Sequence, residues 1–107
     1  MSEYIKPEEL ARRMQGSNPP RVVDVRIGQI GQIPGSEHVP VLDLEDHPLN
    51  WDRDAEIVVY CQFGKGASEY AAEVLEEQGF RRVWKLVGGM DGWNHYLSGL
   101  MGDGQHV

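Results

Sequence analysis

The segment AEIVVYCQFGKGASEYAAEVLEEQG, residues 55–79, links an apolar run to an amphipathic pattern through a loop punctuated by glycines. Residues 57–59 are consecutive apolar side chains, which is typical of a strand covered on both faces of a parallel sheet. The glycines of QFGKG predict a loop, and from Ala67 apolar residues recur at helical spacing as far as Gly79. The segment therefore predicts a strand, a loop and a helix, with Cys61 at the end of the strand.

The rest of the chain repeats this alternation of strands and helices. Further strands are predicted for RVVDV (21–25), HVPVL (38–42) and RRVWKLV (81–87), and a turn for IPG (33–35). Further helices are predicted for KPEELARRM (6–14) and GGMDGWNHYL (88–97), with one or two helical turns across 44–50. This order predicts an α/β fold with a mostly parallel sheet and helices on both faces. Ligands of such folds bind beyond the carboxyl ends of the strands, where we expect Cys61.

Length and charge narrow the classes of function. A chain of 107 residues predicts a single domain over 1–107, with a flexible tail over 99–107. The net charge is −7 and no basic cluster offsets it, which argues against a nucleic-acid partner. A small anionic substrate would need a local positive site.

Several features predict a cytoplasmic protein that does not enter a membrane. No run of about 18 apolar residues is present, so we expect no transmembrane helix. The first ten residues are polar and acidic, which is unlike a signal peptide. A single cysteine cannot form an internal disulfide, which is consistent with a reducing compartment.

The residues after Cys61 predict a reactive thiol. Gly64 and Gly66 permit positive φ angles, so successive backbone N–H groups can converge on an anion. The N-terminus of the following helix adds partial positive charge, and Lys65 adds a full one. Both effects favour the thiolate, which is the nucleophilic form. A cysteine that only filled the core would need neither the glycine loop nor the helix.

The order of these pieces resembles a rhodanese domain. Residues 57–93 resemble the second half of that domain. In the family, a strand there ends in the nucleophilic cysteine, and a loop and a helix follow. A Gly-Phe step, another strand and a Gly-Gly pair before a tryptophan complete the order. RVVDVR (21–26) resembles the family's apolar strand ending in Asp-x-Arg. GQIPGSEHVP (31–40) resembles its GHIPGA-type segment. The likeness covers nearly the whole chain.

The resemblance implies a sulfurtransferase that moves sulfane sulfur through a persulfide on Cys61. The donor would be a small anion such as thiosulfate, and the acceptor a thiol or cyanide. A persulfide on a partner protein is a further possible donor. No metal or organic cofactor is implied. The residues expected to contact substrate are Gln62, Phe63, Gly64, Lys65, Gly66 and Ala67.

The chain departs from the family pattern in ways that bear on the substrate. The common loop Cys-Arg-Ser-Gly-x-Arg-Ser has arginines where this chain has Gln62 and Gly66, so Lys65 and the backbone must supply the positive charge. Gln32 replaces a usual histidine, which suggests a structural role for that position. The acidic residue often found between Arg26 and Gly31 is absent.

Asp24 and Arg26 are expected to support the site from the end of their strand. They could contact substrate, but an internal ion pair that braces the loops is favoured. Without the family's acidic residue, Arg26 must find its partner in Asp24 or in a carbonyl group.

Two other functions of cysteine enzymes require residues that this chain lacks. A cysteine phosphatase needs Cys-x5-Arg, because a planar guanidinium contacts the phosphoryl group, and this chain has Ala67 there. A redox reductase needs a second thiol. A rhodanese-like binding or regulatory module with little turnover is the remaining alternative. The histidines, which are His38, His47, His95 and His106, lack metal-ligand spacing, so no metal site is predicted.

Overall fold

The computed structural model describes residues 3–28, 31–46 and 49–103. In chain order the elements are β1 (Glu3–Ile5), α1 (Pro7–Met14), β2 (Arg21–Asp24), β3 (Glu37–His38), α2 (Val41–Asp46), β4 (Glu56–Tyr60), α3 (Ala67–Glu77), β5 (Arg82–Leu86) and α4 (Gly89–Asp103). The predicted α/β class is confirmed. Within the described ranges, none of the helices has the length and apolar character that a membrane crossing requires.

The strands form one parallel five-stranded sheet in the order β1-β5-β4-β2-β3. The central strand β4 lies between β5 and β2, which explains why its side chains from Ile57 to Tyr60 are fully buried. In the pairing of β2 with β4, Asp24 aligns with Tyr60. Because the strands are parallel, the residues that follow them meet at one edge of the sheet.

Helices cover both faces of the sheet, as the sequence predicts. On one face α2 and α3 pack over Val23, Ile57 and Val59. On the other, α1 and α4 pack over Val22 and Val58. Side chains of a strand alternate between the faces, so the neighbours of a β4 residue belong to opposite cores.

The edge strand β1 was not predicted from the sequence. Glu3 and Tyr4 are exposed and only Ile5 is buried, so the segment has no apolar run that would identify it. Its pairing with β5 aligns Ile5 with Leu86. The strand therefore exists because of a contact with the far end of the chain.

The segment after β3 corrects the prediction for 38–42 and 44–50. A strand was expected to continue through HVPVL, but β3 ends at His38 and α2 begins at Val41. Val41 and Leu44 are buried on the α3 face of the sheet, and their spacing of three suits a helix. The expected helical turns therefore begin earlier in the chain, and residues 47–48 lie outside the described residues.

The last helix is longer than its sequence pattern suggests. It was expected over 88–97, and it extends from Gly89 to Asp103. The tail expected over 99–107 is thus helical as far as Asp103, and 104–107 lie outside the described residues. The flexibility of that tail stays a prediction.

A glycine pair between β5 and α4 supports the loop that follows Cys61. Gly88 and Gly89 have φ angles of 72° and 59°, which favour glycine. The amide of Met90 donates to the carbonyl of Cys61 at 2.8 Å. A Cβ added at Gly89 would overlap that carbonyl oxygen and lie 2.7 Å from the amide nitrogen of Gly64. The turn and the loop are therefore in direct backbone contact.

We expect Gly89→Ala to destabilise the protein by at least about 2 kcal/mol, because the methyl group has no space and the φ angle is positive. Gly99→Ala is the matched control, since a Cβ there meets nothing within 4 Å and alanine favours a helix by up to about 1 kcal/mol. Urea unfolding of both variants measures the difference. Equal stabilities would show that the loop and the turn are not tightly packed.

Candidate active site

Cys61 lies where the sequence predicts it, directly after β4 and before α3. The residue is only 4% exposed. Its side chain nevertheless lines an open cleft of about 390 Å³ at the carboxyl edge of the sheet. The lining residues are Arg26, Ile27, Gly28, Cys61, Gln62, Phe63, Lys65 and Ala67. The cleft thus gives a small molecule a route to a sulfur that is otherwise buried.

The thiol makes two hydrogen-bonding contacts. Its Sγ donates to the carbonyl oxygen of Lys65 at 3.1 Å and lies 3.3 Å from the hydroxyl oxygen of Ser68. Ser68 is the second residue of α3 and is fully buried. Sequence reasoning missed Ser68. The available signal was a hydroxyl residue in the first turn of the helix, on a face otherwise filled by alanine, valine and leucine.

The loop adopts the backbone conformation expected from its glycines. Gly64 and Gly66 have φ angles of 79° and 73°. The amide of Gly66 donates to the Glu69 carboxylate at 3.1 Å. In the described part of the chain, the amides of residues 62–65 donate to no protein group. The sulfur itself contacts a carbonyl oxygen rather than an amide.

The ion pair expected at the end of β2 is confirmed. The Arg26 guanidinium donates to both carboxylate oxygens of Asp24, with Nε at 3.0 and 3.1 Å and Nη2 at 2.6 Å. Arg26 is 7% exposed and Asp24 is fully buried. Nη2 also donates to the carbonyl of Gly31. Both partners that the sequence suggested for Arg26, the neighbouring carboxylate and a carbonyl, are therefore in place.

Arg26 also faces the cleft. The pKa of Arg26 is raised above its ordinary value, chiefly by the hydrogen bonds to Asp24, with smaller contributions from the charges that Tyr60 and Cys61 can carry. The guanidinium therefore stays protonated, and the Asp24 carboxylate with which it pairs compensates its charge.

Of the six loop residues expected to contact substrate, four line the cleft and two do not. Gln62, Phe63, Lys65 and Ala67 line the cleft with Cys61. Gly64 is buried against the Gly88–Gly89 turn. Gly66 precedes α3 and is exposed. Gln62 also makes a specific contact that the sequence did not suggest, because its Oε1 accepts a hydrogen bond from Arg26 Nη1 at 2.8 Å.

The other polar residues considered from the sequence lie apart from the sulfur. Gln32 donates to the carbonyl of Ser36. His38 Nε2 lies 2.6 Å from the carbonyl oxygen of Arg26. His47 and His106 lie outside the described residues. Among the residues that the structure describes, no group of three or more His, Cys, Asp or Glu side chains could hold a metal ion.

Comparisons with known proteins agree with the fold. The model of the rhodanese-like domain family matches residues 6–96. A protein of Pseudomonas aeruginosa strain LESB58 named thiosulfate sulfurtransferase GlpE is 38% identical over 94 residues, which cover 85% of this chain and 83% of that protein. A protein of the same name from Pseudomonas entomophila is 36% identical and covers 97% of each chain.

A solved structure supports the same assignment. The rhodanese-like domain protein from Staphylococcus aureus superposes with a TM-score of 0.76 at 26% identity, covering 87% of this chain and 91% of that one. The family match spans most of the described sheet and all the residues that line the cleft. This chain belongs to the rhodanese-like domain family.

We expect Ser68→Ala to slow the alkylation of Cys61 by iodoacetamide at pH 7 by roughly fivefold. The hydroxyl can donate to the thiolate, and a hydrogen bond worth about 1 kcal/mol corresponds to that factor. Ser98→Ala, at an exposed position on α4, should alkylate at the wild-type rate. If Ser68→Ala reacts as fast as the wild type, Ser68 contributes only packing.

Proposed function

We propose that this protein is a thiosulfate sulfurtransferase that carries sulfane sulfur on Cys61. The observation that carries the proposal is a lone cysteine at the base of a cleft, between the end of a buried strand and the start of α3. Relatives named thiosulfate sulfurtransferase, 36–38% identical to this chain, support the same activity.

The first half-reaction loads the sulfur. The Cys61 thiolate attacks the outer sulfur of thiosulfate, and a new S–S bond forms. The bond between the two sulfur atoms of thiosulfate breaks, and its electron pair leaves with sulfite. The protein retains a persulfide with one negative charge on its terminal sulfur. This is nucleophilic catalysis, in which one displacement is divided into two.

The second half-reaction transfers the sulfur from Cys61 to an acceptor. A thiophilic acceptor, either cyanide or a thiolate, attacks the terminal sulfur of the persulfide. The S–S bond breaks, the Cys61 thiolate returns, and thiocyanate or a new persulfide departs. Neither half-reaction requires a metal or an organic cofactor, because the sulfur atoms provide both the nucleophile and the leaving group.

Three features of the site support this chemistry. Among the residues that the structure describes, the amides of residues 62–65 have no protein acceptor, and we infer that they bind the anionic donor or the terminal sulfur. The start of α3 lies beside the sulfur and contributes partial positive charge. Lys65 adds a positive charge at the cleft of a chain whose net charge is −7, and the guanidinium of Arg26, although paired with Asp24, also lines the cleft. Together they form an electrostatic site for an anion within an acidic protein.

The rim of the cleft also accommodates larger donors or acceptors. Ile27 is 71% exposed and Phe63 is 66% exposed, and both line the cleft. A persulfide on a partner protein could place its apolar surroundings against these side chains. The reaction needs a free thiol, which suits the reducing environment of the cytoplasm, and we place the protein there.

Exposure to thiosulfate should add the mass of one sulfur atom to the intact protein, and cyanide or a thiol should remove it. Mass spectrometry of the intact chain makes both measurements. Cys61→Ser should abolish the adduct and the turnover, because no other thiol is present. Turnover by the serine variant would exclude Cys61 as the carrier. A wild-type adduct without turnover would favour a sulfur-binding module.

We expect Lys65→Ala to raise the Michaelis constant for thiosulfate a few-fold and to affect the maximal rate less. This pattern is expected when the lost interaction stabilises bound thiosulfate and the transition state equally. The effect should be modest, since an exposed charge in water contributes on the order of 1 kcal/mol. Steady-state kinetics with cyanide as acceptor test it. A large loss of maximal rate would instead make Lys65 part of the chemical step.

A further inference from the structure

The two most exposed large apolar side chains of the described residues line the same cleft. They are Ile27, which is 71% exposed, and Phe63, which is 66% exposed. Ile27 follows β2 and Phe63 follows β4, so they reach the cleft from separate loops. Single apolar residues scattered over a surface are ordinary, but two that meet at the opening over a reactive sulfur indicate a site for an apolar group.

The backbone that carries Phe63 is held on both sides of this residue. The amide of Asp91 donates to the carbonyl of Gln62 at 2.9 Å. Gly64 lies against the next turn so closely that an added Cβ would come within 2.7 Å of the Gly88 amide nitrogen. The aromatic ring is therefore presented by a fixed loop, and a ligand that packs on the ring needs little further ordering of the protein.

The residue before Ile27 is anchored as well. The Arg26 guanidinium donates to the buried carboxylate of Asp24 and to the carbonyl of Gly31. Ile27 thus starts from a fixed point of the backbone although its own side chain is uncovered. Both apolar side chains are in place before any ligand arrives.

The cleft has more space than an inorganic donor needs. Its volume of about 390 Å³ lies within the range of roughly 300–1,000 Å³ that is usual for pockets of organic ligands. Gly28 and Ala67 also line it and contribute little side-chain bulk, whereas Lys65 provides a positive charge. Thiosulfate has no apolar group that could contact Ile27 or Phe63. A donor with an anionic end and an apolar end would use both parts of the cleft.

We propose that Phe63 and Ile27 form an apolar subsite beside Cys61, and that it selects small sulfur donors in which an apolar organic group carries the transferable sulfur, as in an arenethiosulfonate. This inference rests on the proposed sulfurtransferase function and specifies its substrate class. The Cys61 thiolate attacks the outer sulfur of the thiosulfonate, and a new S–S bond forms. The bond between the two donor sulfur atoms breaks, and its electron pair leaves with the sulfinate.

The test compares two donors of equal charge that differ in their apolar group. Benzenethiosulfonate and methanethiosulfonate are both monoanions. The measured quantity is the ratio of their kcat/KM values with cyanide as acceptor, divided by the ratio of their rates with free cysteine, which removes the difference in intrinsic reactivity. Phe63→Ser and Ile27→Ser each remove part of the subsite. Leu42→Ser is the matched control, because Leu42 is 56% exposed on α2 and does not line the cleft.

The corrected ratio in the wild type should favour benzenethiosulfonate about tenfold, because the phenyl group covers apolar surface that the methyl group leaves exposed. Phe63→Ser should lower the ratio about fivefold and Ile27→Ser about threefold, in proportion to the apolar surface removed. Phe63→Leu should restore most of the preference, and Leu42→Ser should leave it unchanged. A wild-type ratio near unity, or an unchanged ratio in Phe63→Ser and Ile27→Ser, would overturn the proposal.

A pair of alkylating reagents separates this proposal from the proposed function. Iodoacetamide and its N-phenyl derivative iodoacetanilide are neutral, carry the same reactive group, and alkylate Cys61 without any sulfur donor. The ratio of the anilide rate to the amide rate should fall in Phe63→Ser and stay unchanged in Leu42→Ser. If the wild type forms no persulfide but this ratio falls in Phe63→Ser, only the sulfurtransferase function fails. If persulfide forms but neither the donor ratio nor the alkylation ratio changes, only the apolar subsite fails.

Discussion

The candidate active site depends on the parallel pairing of β2 with β4, which aligns Asp24 with Tyr60. That register sets the residues that follow each strand side by side, so Arg26 from one loop meets Gln62 from the other. A shift of one residue would turn every side chain of a strand to the opposite face of the sheet. Cys61 would then leave the α3 face, where it packs with Ile57 and Val59. Both central strands are buried, and their cores permit only one register.

The buried ion pair of Asp24 with Arg26 is the second constraint, and it fixes the guanidinium at the edge of the cleft. Asp24 is fully buried and would be an uncompensated charge without Arg26. Breaking such a pair by removing one partner costs on the order of 3–5 kcal/mol, so the guanidinium cannot easily leave. The arginine that pairs with Asp24 thus also lines the cleft, and its Nη1 donates to Gln62 in the loop that follows Cys61.

The loop around Cys61 is shaped by backbone contacts more than by side chains. Gly64 packs on the Gly88–Gly89 turn, and the Met90 amide holds the carbonyl of Cys61. These contacts occupy carbonyl oxygens, and within residues 3–28, 31–46 and 49–103 no protein group accepts from the amides of residues 62–65. A loop of this kind can bind an anion of varied chemistry through its N–H groups. Lys65 and the exposed apolar side chains of Ile27 and Phe63 line the cleft beside this loop.

The sequence by itself determined the strand, loop and helix around Cys61, because periodicity and glycine placement are local signals. It also determined the family, since the order of motifs is written along the chain. It did not reveal β1, whose pairing with β5 joins opposite ends of the sequence, or the start of α2, where burial against α3 outweighed the strand pattern of 38–42. Ser68 and the contact between Arg26 and Gln62 were decided only by the tertiary structure. Both depend on which side chains face each other across separate elements, and spacing along one chain does not carry that information.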